Sequence, residues 1–216
     1  MRIFLSSLFL LIGLSNVFGS GAEPNSYRWI NLGVPLSEFR KNYWDGLSRP
    51  PDLVCTGDRT TSTVAQAATA MPHAFTRAGI RKCAFFDIRG YPTGPDLGYI
   101  STPSASLLFT PQNGRADPLL AAITAEFASS YYDRLVHLLK VRYGEPRASN
   151  EMDFVTRAGP SFRNQKLTWG TTARPLVVTR YDKSLETSKL EVLDVELMKL
   201  LIAIQTKEDE AAAARL

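Results

Sequence analysis

Residues 119–146 read LLAAITAEFASSYYDRLVHLLKVRYGEP and contain the two patterns that decide the fold. Residues 119–127 include three alanines, which favour a helix. Ile123, Ala125 and Phe127 alternate with polar residues, as the buried side of a strand does. We interpret this first part as a strand.

The second part of the stretch has the periodicity of an amphipathic helix. We expect Ser129 or Ser130 to cap the helix, and Gly144 and Pro146 to end it. The apolar face of the helix consists of Tyr132, Leu135, Val136, Leu139 and Tyr143.

Short apolar runs on both sides of this stretch predict further strands. Asn113-Gly114 is a strong turn signal and predicts a hairpin that ends in residues 119–127. Near the start of the expected mature chain, an alternating segment predicts a short strand at 27–32. The other predicted strands are residues 82–89, 106–110, 166–169, 176–181 and 190–193.

Three further helices are expected. Ser37 can cap a helix over 37–44, and an Ala-rich segment at 62–71 ends at a proline. Asp194 can cap a closing helix, after which the tail 207–216 is expected to fray. Residues 45–58 and 90–104 are rich in Pro and Gly and predict loops.

Strands that follow one another through hairpins, with isolated helices between them, indicate the α+β class. We predict an antiparallel sheet of hairpins and meanders with helices packed on one face. A duplication, in which each half is a helix plus a meander, is an open alternative.

The N-terminal residues 1–22 have the pattern of a secretory signal peptide. Arg2 precedes an apolar run, which ends in small residues. Cleavage is expected after Ala22, or alternatively after Gly19. An uncleaved anchor is disfavoured, because the run is shorter than the roughly 20 residues that span a bilayer. The leader predicts a periplasmic or secreted protein.

Residues 23–206 are expected to form a single soluble domain. The formal net charge is only +4, and lysines and arginines are scattered among acids. A nucleic-acid partner is therefore not expected. The most apolar later stretch, 197–204, is too short to cross a membrane, so we predict no transmembrane segment in the mature chain.

The chain contains two cysteines, Cys55 and Cys83. An even number of cysteines in an exported chain predicts a disulfide bond. The cysteines are not spaced as Cys-x-x-Cys, which disfavours redox chemistry.

Residues suited to catalysis are scarce, since the chain contains only two histidines, His73 and His137. His137 follows Asp133 by one helical turn, a spacing that suits an exposed pair. His73 could act as a general base, although the chain has no Gly-x-Ser-x-Gly motif. Phosphate-binding loops are also missing, so no cofactor or metal is assigned.

A basic and aromatic group near the last strands is the predicted partner surface, provided that its members share one face. It consists of Lys166, Trp169, Arg174, Arg180 and Tyr181. The partner would be an envelope protein or an acidic surface of the envelope.

Two motifs carry a resemblance. They are Leu32-Gly33-Val34-Pro35-Leu36-Ser37-Glu38-Phe39 and the helix from Tyr132-Asp133-Arg134-Leu135 to Tyr143-Gly144-Glu145-Pro146. Together they resemble exported proteobacterial proteins of unassigned activity. The helix start is also similar to that of the small lipoprotein of the outer-membrane β-barrel assembly machine, but this chain lacks its lipid-bearing cysteine. The resemblance implies an exported α+β protein.

These observations predict an exported, non-enzymatic protein with a binding or structural role in the bacterial envelope. The alternative is an exported hydrolase with a site around His73.

Overall fold

The computed structural model describes residues 26–27, 30–42, 51–95, 100–112, 115–155 and 159–214. The leader and its cleavage sites, the Asn113-Gly114 turn and the end of the helix predicted at 37–44 lie outside these residues. The helices are α1 (Leu36–Asn42), α2 (Thr63–Thr69), α3 (His73–Arg77), α4 (Tyr132–Tyr143) and α5 (Val195–Ala213).

The strands mostly follow one another in runs between these helices. The first seven are β1 (Ser26–Tyr27), β2 (Ile30–Asn31), β3 (Asp52–Cys55), β4 (Arg81–Phe86), β5 (Pro92–Thr93), β6 (Ser104–Thr110) and β7 (Leu119–Ala128). The last four are β8 (Ala148–Val155), β9 (Ser161–Gly170), β10 (Pro175–Thr179) and β11 (Thr187–Leu193).

One antiparallel sheet contains all the strands except β1 and β2, which pair with each other. The strand order is β3-β4-β6-β7-β11-β10-β9-β8, and β5 pairs with β4 beside this path. The predicted α+β class and the antiparallel sheet are confirmed.

The sheet consists of two halves with the same topology. In the first half α1 precedes β3, β4, β6 and β7, and in the second half α4 precedes β8 to β11. The last strands of the two halves, β7 and β11, pair at the centre. The chain at the start of each helix also bonds to the residue just before the last strand of its half: the Leu36 N–H donates to the Pro118 carbonyl, and the Ser129 N–H donates to the Glu186 carbonyl. The strand order therefore agrees with the helix-plus-meander duplication that the sequence left as an open alternative.

The main core lies on one side of the sheet, which we call the first face. Phe39 of α1 and Leu135 and Leu139 of α4 are buried there against the strands. The rings of Phe39 and Phe109 meet edge to face, with 5.6 Å between centroids. Burial of these large apolar side chains holds both helices on the sheet.

The opposite side, the second face, carries α2. Its small side chain Ala65 packs with Ala84 and Phe86 of β4. These β4 residues alternate with Cys83 and Phe85, which belong to the first-face core. Helices thus occupy both faces, whereas the prediction placed them on one.

The last helix, α5, packs against β6, β7 and α3. As predicted, Asp194 caps it, because its carboxylate accepts the Leu197 N–H at 3.1 Å. The helix continues to Ala213, so the tail predicted to fray is helical to that residue.

The predicted disulfide is present and joins Cys55 and Cys83. The two residues lie directly opposite each other on β3 and β4, and both are buried. Cys55 thus ends a strand, where the sequence predicted a loop. Prolines and glycines on both sides of this four-residue strand hid its pattern.

Two other predictions need correction. The stretch before residue 166 forms strand β8, which the sequence analysis missed because most of its side chains are exposed and show no apolar alternation. Neither serine caps α4: Ser129 and Ser130 lie in a 3₁₀ turn, and the Ser129 hydroxyl donates instead to the Leu185 carbonyl at 2.6 Å. Gly144 does end α4, with φ at 79°.

Candidate functional site

A cleft with a mixed apolar and polar lining lies on the second face, where β4, β6 and β7 form its floor. Its volume is about 220 Å³. Ala84, Ser106 and Thr124 stand side by side across these three strands. These three side chains are short, so the floor is recessed below the longer side chains that surround it.

The first half of the sheet supplies two walls of this second-face cleft. Ala68 lines it from α2, and Pro92 lines it from β5. Beside Pro92 the chain passes close to the sheet at Gly94, where an added Cβ would lie 2.9 Å from the Cβ of Ala105. Only glycine therefore fits at position 94, where the segment after β5 lies against the sheet.

A carboxylate and a lysine close one end of the cleft. Glu126 stands opposite Ser104 in the β6–β7 pairing, and the Ser104 hydroxyl donates to its carboxylate at 3.1 Å. Lys183, in the turn between β10 and β11, forms an ion pair with the same carboxylate. This end is therefore polar but electrically balanced.

Lys82 lines the cleft from β4 and is half-buried. No carboxylate of the described residues lies within ion-pair distance of its ammonium group. The strand register explains this, because Lys82 stands opposite Leu108 of β6 and not opposite an acidic residue. The cleft thus has a balanced end and a cationic side.

The charges next to the cleft are already paired. Lys189 contacts Asp182 at 3.0 Å and Glu191 at 3.4 Å. Burial lowers the pKa of Lys189, but the hydrogen bond to Asp182 and the charges of Asp182 and Glu191 outweigh burial and raise it above its ordinary value. Lys189 thus stays cationic and is already paired with two neighbouring carboxylates.

The predicted partner surface is not assembled as one patch. Trp169 is only 1% exposed, and its indole N–H donates to the Gly144 carbonyl at 2.9 Å, so it belongs to the core. Arg174 and Arg180 lie beyond opposite ends of β10, and each is already paired. Arg174 contacts Asp194 at 3.1 Å.

The other members of that set also lie apart. Arg180 contacts Asp133 of α4 at 2.7 Å and stacks over the Tyr132 ring at 4.9 Å. The Tyr181 ring lies 5.9 Å from that of Phe154. Lys166 alternates with the buried Leu167 and so faces the second side of the sheet. Partner docking at these residues stays a prediction, but they do not share one face.

Neither histidine contributes to the cleft. His73 is exposed as the first residue of α3, and His137 is exposed on α4. Asp133, which the helical spacing placed beside His137, pairs with Arg180 instead. No group of three His, Cys, Asp or Glu side chains in the described ranges could hold a metal ion.

Sequence reasoning missed the cleft residues for a simple reason. The sequence predicted a strand over 106–110 and a loop up to residue 104, and it singled out neither Ser104 nor Ser106. Both serines lie on the side of β6 opposite the buried Leu107 and Phe109, where α2 turns an ordinary polar face into a cleft. The alternating hydroxyl side chains were the available signal in the sequence. They do not indicate that α2 forms a wall beside them.

No family model, curated protein or solved structure matches this chain. None of the described helices is long and apolar enough to cross a membrane. The second-face cleft is therefore the feature of this molecule that points to a function.

Proposed function

We propose that this is an exported, non-enzymatic binding protein of the bacterial envelope and that the second-face cleft holds its ligand. The observation that carries the proposal is a preformed cleft whose floor and ends present hydroxyl, ammonium and carboxylate groups. Concave sites with a few convergent polar groups are typical of small-molecule binding.

The chemistry of the lining favours binding over catalysis. Among the described residues that line the cleft there is no histidine. The base nearest to Ser104 is the Glu126 carboxylate, and a carboxylate is a far weaker base than imidazole. Such a site can bind a ligand through hydrogen bonds but has no activated nucleophile.

The proposed address rests on the leader and the disulfide. The apolar run at 1–22 has the features of a signal peptide, and disulfides persist in oxidising compartments such as the periplasm. The resemblance to exported proteobacterial proteins supports the same address. Mass spectrometry of protein purified without reductant from a periplasmic extract should find an N-terminus near Glu23.

A binding screen tests the ligand site. We expect thermal-shift and NMR screening with sugars, sugar acids, hydroxy acids, amino acids and nucleosides to find a binder. Ser106→Leu, which fills the floor of the cleft, should reduce its affinity by about tenfold or more. Thr168→Leu is the matched control, because Thr168 faces the second side on β9, outside the cleft lining.

Two results would contradict the proposal. One is that no molecule of the panel binds. The other is that Ser106→Leu and Thr168→Leu affect binding equally. The hydrolase alternative is tested separately with a broad hydrolase screen, in which activity that disappears in His73→Ala would favour an enzyme.

A further inference from the structure

We infer that the ligand of the second-face cleft is a small organic monoanion whose carboxylate binds Lys82 and whose neutral polar body lies over Ser106 and Thr124. This inference rests on the proposed function and adds the chemical class of the ligand.

Lys82 lacks a counter-charge among the described residues. Its side chain is half-buried, and its neighbours on α2 are uncharged, since that helix reads TVAQAAT. Partial burial without a counter-charge is unfavourable for an ammonium group. An anionic group of the ligand would provide the partner that the described residues do not.

The total charge of the cleft lining favours a ligand with a single negative charge. Lys82 and Lys183 are cationic and Glu126 is anionic, so the described lining carries one net positive charge. A monocarboxylate balances that charge. A phosphate monoester carries about −1.5 to −2 at neutral pH and would leave an excess of negative charge beside Glu126.

The floor of the cleft suits a ligand whose body is neutral and polar. Ser106 and Thr124 present hydroxyl groups on the floor, and no hydrogen bond joins either hydroxyl to another described residue. No aromatic side chain lines the described cleft, so a flat ring would find no stacking partner. The volume holds roughly seven water molecules at liquid density, which suits a compact molecule with hydroxyl or amide groups.

The experiment compares matched probes by isothermal titration calorimetry on the mature, disulfide-bonded protein. The first set is gluconate, sorbitol and glucose 6-phosphate. The second set is N-acetylserine and its carboxamide. In at least one set we expect the monocarboxylate to bind about tenfold or more tightly than its neutral analogue, as expected of a hydrogen bond to a charged group. Gluconate, if it binds, should also exceed glucose 6-phosphate.

Lys82→Met should remove this preference and lower the affinity for the monocarboxylate by about tenfold or more. Lys166→Met is the matched control. Lys166 is also half-buried on the second face, on β9, which corresponds to β4 in the other half of the sheet. It does not line the cleft, so the affinity should stay unchanged. Equal melting temperatures of the two variants would show that both remain folded.

The outcomes separate the two proposals. If neutral or cationic molecules bind in a manner sensitive to Ser106→Leu, and the monocarboxylates have no advantage, the inference is wrong and the proposed function stands. Retention of monocarboxylate affinity in Lys82→Met would also overturn the inference. If no probe and no molecule of the wider panel binds, the proposed function fails as well.

Discussion

The two halves of the sheet share a topology and differ in what happens between their first two strands. Between β3 and β4 the chain forms α2 and α3, and the Cys55–Cys83 bond ties the two strands together. Between β8 and β9 only residues 156–160 intervene. The comparison indicates that the shared helix and meander build the core, whereas the insertion in the first half creates one wall of the second-face cleft.

The outer edges differ in the same way. The first half ends in the short strand β3, and the second half ends in the longer strand β8. Met152 and Val155 of β8 are exposed, at 44% and 66%. Charged residues on such a strand, here Glu151 and Asp153, oppose edge-to-edge aggregation. The outer strand of the second half therefore carries charged side chains, whereas the outer strand of the first half is joined to β4 by a disulfide bond and contacts helix α2.

Loss of the disulfide should have the largest effect and would remove one difference between the halves. The bond closes a loop with a sequence separation of 28 residues. On the loop-entropy model, the Cys55→Ala and Cys83→Ala double variant should lower the free energy of unfolding by roughly 3 to 4 kcal/mol. Urea denaturation measures this change.

Hydrogen exchange on the same double variant shows which elements lose stability. Relative to the natural chain, we expect the exchange rate to increase more in β3 and α2 than in β8 and β9. An unchanged urea midpoint, or equal acceleration in both halves, would mean that the disulfide does not distinguish them.

The second prediction compares two ion pairs of the second half, Arg174–Asp194 and Arg180–Asp133. Arg174→Met leaves the Asp194 side chain, 7% exposed, without its cation, and should cost about 1 to 2 kcal/mol because the arginine is itself partly exposed. Arg180→Met removes a pair whose Asp133 side chain is 80% exposed and should cost less than about 1 kcal/mol. Denaturant midpoints for the single variants check the order, and a larger loss for Arg180→Met would contradict it.

The smallest effect concerns Tyr132, the first residue of α4, whose counterpart at the start of α1 is the non-titrating Leu36. Burial raises the pKa of Tyr132 to about 12, and the Arg180 charge only partly opposes this increase. In the unfolded chain tyrosine loses its proton near pH 10. The unfolded state thus binds fewer protons between these values, and stability should fall as pH rises through this window.

Denaturation at pH 9 and at pH 11 tests this titration. The fall in stability should be smaller in Tyr132→Phe than in the natural chain, and the Tyr131→Phe control, at an exposed neighbour, should behave like the natural chain. An equal fall in Tyr132→Phe would show that this side chain does not set the alkaline limit of the second half.

Much of the fold could be predicted because its signals are local. The apolar face of α4 and its Gly144 stop, the cap at Asp194 and the cysteine pair are each visible in a few neighbouring residues. Strand β8 was missed because it has no buried side to produce an alternation. The placement of α2 on the second face depends on contacts with β4 that no local pattern contains.

The candidate site was harder to predict than the fold for the same reason. Ser106, Thr124 and Lys82 are distant in sequence and become neighbours only through strand register. Trp169 shows the opposite error: its residue type suggested an interface, but the alternation of β9 turns it into the core. Residue type indicates what a side chain can do, and register decides whether it is available.

The pairing of β7 with β11 at the centre of the sheet also sets an order on folding. During synthesis or export β7 emerges long before residues 187–193, so a chain that folds as it emerges would pair β7 with β6 on one side and leave much of its other edge unpaired. Such an edge invites pairing with other chains until β11 arrives. Because the contact that joins the halves is so distant along the chain, we expect the complete sheet to form slowly and late. A helper that shields β7 during biosynthesis would thus protect the protein at its most vulnerable stage.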